Sequence, residues 1–193
     1  MSFFGQIKEK ISKMPHGEVF TVSDFTHIAN EKTVSKILER LCGVNHIEKI
    51  SRGIFWVPAK EASPSPWNVA RTLARANNWR IAPSGESALY LFGLQNVPPK
   101  EWKFVTDGTY RNYKFGDNTL TFCHTSGKMF AAMSDKTAML VQVLKAYGRE
   151  HLPHALKEKL NLYTSEERRQ ILSETKNATS WISQSLQNLL SEK

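Results

Sequence analysis

Two cysteines in 193 residues, Cys42 and Cys123, are too few and too far apart for a disulfide framework or a paired metal-binding spacing. A reducing, cytoplasmic setting with two ordinary thiols is therefore expected. No segment approaches the roughly 18 to 20 consecutive apolar residues that a membrane-spanning helix needs. Nor does the N-terminus place a basic stretch ahead of a continuous apolar one, so neither export nor membrane insertion is expected. Glycines match no dinucleotide-binding or phosphate-cradling loop, and no Gly-x-Ser-x-Gly elbow occurs. Ser84-Gly85-Glu86-Ser87 is better explained as a helix start. His124 beside Cys123, and His151 three residues before His154, are too sparse to hold a metal. Glu86, Asp107 and Asp117 lack the spacing of paired carboxylates. The expectation is a protein without catalytic residues, metal or other cofactor.

What is present is an ordinary soluble composition, 40% hydrophobic and 23% charged, with a net charge of +8. A basic chain attracts polyanions, but the excess is spread along the sequence: residues 1–60 hold nine Lys/Arg against six Asp/Glu. Placement of the charge therefore matters more than its total.

The most informative placement is in Thr33-Val34-Ser35-Lys36-Ile37-Leu38-Glu39-Arg40-Leu41. At about 100° per residue, Val34, Ile37, Leu38 and Leu41 share one arc of a helix, while Lys32, Lys36 and Arg40 recur at four-residue spacing on the opposite side. Asn30 can cap this helix. Just upstream, Thr21 and Asp24 form a possible capping box for a short helix over Val22 to Ala29. Two helices at so tight a corner read as a helix-turn-helix. Phe3, Phe4, Ile7 and Ile11 predict a further helix ending near Met14, before Pro15-His16-Gly17. Downstream, Ile47 to Ile50 and Ile54 to Val57 flank Ser51-Arg52-Gly53 as a hairpin. Phe55 and Trp56 alternate on its second strand, so at least one is expected to close the small core.

A helix of this kind fits a major groove about 12 Å wide, and a charged hairpin beside it can reach the sugar-phosphate backbone. The expected DNA contacts are Lys32, Thr33, Ser35, Lys36 and Arg40 on the helix, with Lys49 and Arg52 on the hairpin. Glu39 projects near the same face and is repelled by phosphate. The alternative reading is a basic face that merely solvates a surface helix, in a winged helix that contacts another protein.

Pro58, Pro64 and Pro66 interrupt both periodicities and form a stiff connector. Two domains are expected, a winged helix-turn-helix over 1–60 and a mixed α/β domain over 61–193, giving an α/β (α+β) chain. In the second, helices are predicted over Trp67 to Asn77, Ser84 to Leu94, Ser134 to Tyr147, Leu152 to Leu160, Thr164 to Thr175 and Ala178 to Leu190. Strands are predicted over Trp102 to Thr106 and Thr119 to His124. The aromatic and polar residues of Tyr110 to Asn118 read as part of a β-meander, with a nucleic-acid stacking platform as the alternative. Arg71, Arg75, Arg80, Arg111 and Lys114 are candidates for an auxiliary basic surface. The last helix carries Ile182, Leu186 and Leu190 on one face and needs a surface to pack on, in its own domain or another subunit.

The wing exit Arg52-Gly53-Ile54-Phe55-Trp56-Val57-Pro58 and the run Ile81-Ala82-Pro83-Ser84-Gly85-Glu86-Ser87-Ala88-Leu89-Tyr90-Leu91-Phe92-Gly93-Leu94 resemble the AbiEi-like antitoxin family and its DUF6088 relatives. The likeness continues through Trp102 to Gly108, the Arg111 region and Thr121 to His124, covering roughly residues 3–160. It implies a bacterial winged-helix transcriptional regulator of a type IV (abortive-infection) toxin-antitoxin system. Such a protein binds inverted repeats in its own promoter, as a homodimer where the repeats are paired, and its second domain counters a nucleotidyltransferase-like toxin, with or without direct contact. An orphan regulator with no toxin is the variant of this reading. A nucleic-acid-cleaving enzyme is a further rival, disfavoured because the acidic and lysine cluster it needs is missing.

Overall fold

The computed structural model describes residues 2–59, 63–126, 130, 132–149 and 152–191. Residues 60–62 of the expected connector and His151 lie outside the described residues. The chain is a mixed α/β fold of the α+β kind, and its backbone contacts divide it into two units. One comprises Met1–Trp79 with Tyr113–Asn118, the other Arg80–Asn112 with Thr119–Lys193.

In the first unit, helix α1 (Phe3–Ser12) precedes strand β1 (Val19–Thr21), a 3-10 turn (Val22–Phe25), helix α2 (Glu31–Gly43) and strands β2 (Glu48–Ser51) and β3 (Ile54–Trp56). The strands form an antiparallel sheet in the order β1-β3-β2, with Val19 opposite Trp56 and Lys49 opposite Phe55. Ile7, Phe20, Phe25, Leu38, Leu41 and Phe55 are among the members of the core between helices and sheet. Phe20 packs edge-on to Phe25 at 5.6 Å and stacks on Phe55 at 6.0 Å. Phe55 thus closes the core as expected. Trp56, also buried, donates through Nε1 to Glu48 Oε2 at 3.0 Å.

The helix expected over Val22 to Ala29 is shortened to a single 3-10 turn. Its capping box is present, with Thr21 N–H donating to Asp24 Oδ2 at 2.8 Å. Hydroxyls then compete with the helical ladder: Thr26 Oγ1 donates to the Ser23 carbonyl at 3.0 Å, and Thr21 and Ser23 pair through their side chains.

Helix α3 (Pro66–Ala76) lies beyond the expected boundary at residue 60, yet it belongs to the first unit. Val69, Ala70, Leu73 and Ala74 are buried, and Thr72 Oγ1 donates to the Val19 carbonyl at 3.2 Å, which ties α3 to β1. This buried face is what docks the helix.

Strands β4 (Ile81–Pro83), β5 (Glu101–Thr106), β6 (Arg111–Phe115) and β7 (Asn118–His124) form a four-stranded sheet, hydrogen-bonded in the order β4-β5-β7-β6. This is not a meander. β5 and β7 pair in parallel, Glu101 opposite Thr119 through Thr106 opposite His124, so Phe104 stacks on its register partner Phe122 at 5.5 Å. Pairing β5 with β7 places β6 on the outer side of β7. Helix α4 (Glu86–Leu91) ends at Gly93, whose φ of +76° permits the Leu94 N–H to bond the Leu89 carbonyl at 2.8 Å. Among the described residues, the helices that follow are α5 (Asp135–Tyr147), α6 (His154–Asn161), α7 (Ser165–Glu174) and α8 (Ser180–Ser191).

The face of α8 that carries Ile182, Leu186 and Leu190 is buried in the core of its own unit. A Thr164–Glu167 capping box opens α7. Glu174, at the end of α7, caps α5 from outside it: Oε2 accepts from Ser134 N–H at 2.9 Å and Ser134 Oγ at 2.8 Å. Burial acts to raise the Glu174 pKa, but hydrogen bonds from Thr137, Ser134 and Gln170 outweigh it and hold the carboxyl at about 2.

Among the described residues, no helix is long and apolar enough to cross a membrane.

Candidate nucleic-acid interface

Local signals place α2 closely. Asn30 Oδ1 accepts from Thr33 N–H at 3.0 Å at its start, and Asn45, with φ of +55°, lets the His46 N–H bond the Leu41 carbonyl at 3.1 Å at its end. Between these caps Val34, Leu38 and Leu41 are fully buried while Ile37 is half-buried, so the apolar arc faces the core as the spacing predicts. That fixes which side faces outward.

Lys32, Lys36 and Arg40 are all exposed there, with Thr33 and Ser35 partly so. Arg40 is also braced: its guanidinium lies 4.8 Å from the ring of Phe4 on α1. Phe4 was legible only as part of the α1 periodicity, and this second use of its ring had no local signal.

Lys49 and Arg52 are exposed on the hairpin that follows. Gly53 occupies its turn with φ of +76°, and the pairing register shifts between Lys49 and Ser51, a bulge that sharpens the local twist. Lys49 Nζ is 3.9 Å from Glu39 Oε1. This contact links the hairpin to α2. Burial pushes the nearby Cys42 thiol above its ordinary range, with Lys49 pulling the other way and Glu39 and Glu48 adding to the rise.

All seven candidate contacts therefore reside in the first unit, five on α2 and two on the hairpin. Of the auxiliary basic residues, Arg71, Arg75 and Lys114 belong to the first unit and Arg80 and Arg111 to the second. Arg75 pairs with Asp24 at 3.0 Å, and Arg71 lies 5.8 Å from the Trp67 ring. Arg80 is turned into the second unit, where Nη1 donates to the Phe130 carbonyl and Nη2 to that of Met133 at 2.6 Å, with Asp135 at 3.6 Å. Its guanidinium holds Phe130 and Met133, ahead of α5, while the side chain stays 40% exposed. Arg111 and Lys114 are exposed on β6.

Other candidate groups have local structural partners. His124 Nδ1 is 2.7 Å from the Gly108 carbonyl, His154 pairs with Glu158 at 3.4 Å, and Asp107 Oδ1 accepts from Arg80 N–H at 2.8 Å. Among the described residues no group of three or more His, Cys, Asp or Glu side chains is placed to hold a metal ion.

A solved structure of the RV2827C protein from Mycobacterium tuberculosis is similar to this chain with a TM-score of 0.47 and 15% identity, over 98% of this chain and 76% of that one. No curated protein matches the chain. A family model described as a family of unknown function, DUF6088, matches residues 6–171, most of the sequence. The chain belongs to the DUF6088 family.

Proposed function

We propose that this protein is a sequence-specific duplex-DNA-binding repressor of the winged-helix kind. The observation that carries the reading is the joint exposure of Lys32, Lys36 and Arg40 on one side of α2 with Lys49 and Arg52 on the next hairpin. The order α1, β1, 3-10 turn, α2, β2, β3 also suits it, since a winged helix offers its second inter-strand helix to the major groove and its hairpin to the backbone. In this reading α2 is the recognition helix. Thr33, Ser35, Lys36 and Arg40 contact base edges and phosphates, and Lys49 and Arg52 set the register on the sugar-phosphate backbone without reading sequence.

The resemblance to AbiEi-like antitoxins extends the proposal to the second unit, which would act against a nucleotidyltransferase-like toxin encoded beside it. Two measurements test the two halves separately. Anisotropy titrations of the full chain should show a preference for its own upstream DNA over random duplex, by a factor of at least about 10³ at physiological salt. Equal affinity for both would remove the repressor role. Co-expression with the product of the adjacent reading frame should restore growth, and unrelieved toxicity would remove the antitoxin role while leaving DNA binding intact.

A further inference from the structure

One acidic residue stands inside the cationic face of α2. At about 100° per residue Glu39 projects about 20° from Lys32 and about 60° from Lys36, within the arc that the buried residues leave outward. Its side chain is 63% exposed and that of Lys49, 3.9 Å away, is 45% exposed. An ion pair so long and so wet contributes little to stability. Near phosphates the carboxylate opposes binding at every register. A base edge is different.

In the major groove a carboxylate, which only accepts, is suited to cytosine, whose N4 amino group is a donor with no acceptor beside it. At adenine the N6 donor adjoins the N7 acceptor, which repels a carboxylate, and guanine and thymine present acceptors. Resting on the DNA-binding reading above, we infer that Glu39 is a specificity-determining residue. Its carboxylate accepts from cytosine N4 in the bound sequence and raises the cost of phosphate contact elsewhere.

The test is selection from a randomised duplex library by the full chain and by E39Q and E39A. Wild type should prefer cytosine at one position by about tenfold. E39Q should move that preference to adenine, because a carboxamide both donates to N7 and accepts from N6. E39A should lose preference at that position alone, and both variants should bind random duplex more tightly than wild type. A cooperative denaturant transition at the wild-type midpoint verifies that the variants are folded. A selected sequence that stays the same in both variants would overturn the assignment of Glu39 while leaving the repressor reading intact. A wild type that selects no sequence would overturn both.

Discussion

Two groups of cations do opposite things in this molecule. On α2 and its hairpin, Lys32, Lys36 and Arg52 stand in water. In the second unit Arg168, 8% exposed, donates through Nε to the Tyr163 carbonyl at 3.1 Å, through Nη1 to Leu190 at 3.2 Å and through Nη2 to Leu160 at 3.0 Å. Leu160 and Leu190 lie in the last turns of α6 and α8, where unpaired carbonyls concentrate negative potential. A single planar guanidinium thus joins the ends of two helices to α7. Arg80 does similar work before α5. Net charge counts both groups alike, so a total of +8 identifies neither an interface nor a structural brace.

Substitutions should separate the groups sharply. Arg168→Ala removes three charge-assisted hydrogen bonds and leaves buried carbonyls unpaired, so it should destabilise the fold by on the order of 3–5 kcal/mol. Arg168→Lys should recover only part of this, because an ammonium cannot reproduce the planar fork. Lys36→Ala should change stability by less than about 0.5 kcal/mol, the ordinary result at an exposed site. Denaturant midpoints of the three variants check the contrast.

A smaller effect sharpens the same comparison from the anionic side. Glu174→Gln should cost about 1 kcal/mol, the usual worth of a helix N-cap. Because the folded Glu174 pKa lies near 2, below its ordinary 4.5, its contribution is complete above about 4.5 and is lost as pH falls toward 2. Thermal midpoints of wild type and variant should therefore converge on acidification and differ most near neutrality. Parallel curves down to pH 2 would contradict the cap.

Smaller still, Gly53→Ala should cost about 1 kcal/mol or less through backbone strain alone, since no atom lies within 4 Å of a Cβ placed there. Its larger consequence should be for DNA affinity, as the turn that carries Arg52 shifts. Equilibrium melting and anisotropy on one preparation separate the two.

Local features of this fold were legible in the sequence and non-local ones were not. Asn30, the Thr21–Asp24 box and the Thr164–Glu167 box announce themselves through spacings of three residues. The apolar arc of α2 does so through helical periodicity, and Arg52-Gly53 marks its turn. By contrast, the alternation of β5 and β7 shows that each is a strand but carries no information on which strand pairs with which. The parallel match of Phe104 with Phe122 is decided by packing across the unit. The 3-10 turn at Val22–Phe25 departs from the expected longer helix because hydroxyl competition at Ser23 and Thr26 is finer than periodicity resolves. Arg168 did leave a trace: it shares a helical stripe with Ile171 and Thr175, both buried, and a cation on such a stripe is a sign of carbonyl partners. In the candidate interface the seven contacts were predicted from spacing and all are at least partly exposed, whereas the Phe4 brace under Arg40 was not readable.

The central claim is that the outward face of α2 and the adjoining hairpin engage the phosphates of a DNA duplex. Its most direct test is the slope of log Kobs against log salt concentration for upstream DNA, compared between wild type and Lys36→Ala. Wild type should show a steep negative slope and the variant a slope shallower by about one unit, one phosphate contact having been removed. Identical slopes for the two proteins, or no measurable affinity in wild type at low salt, would contradict it.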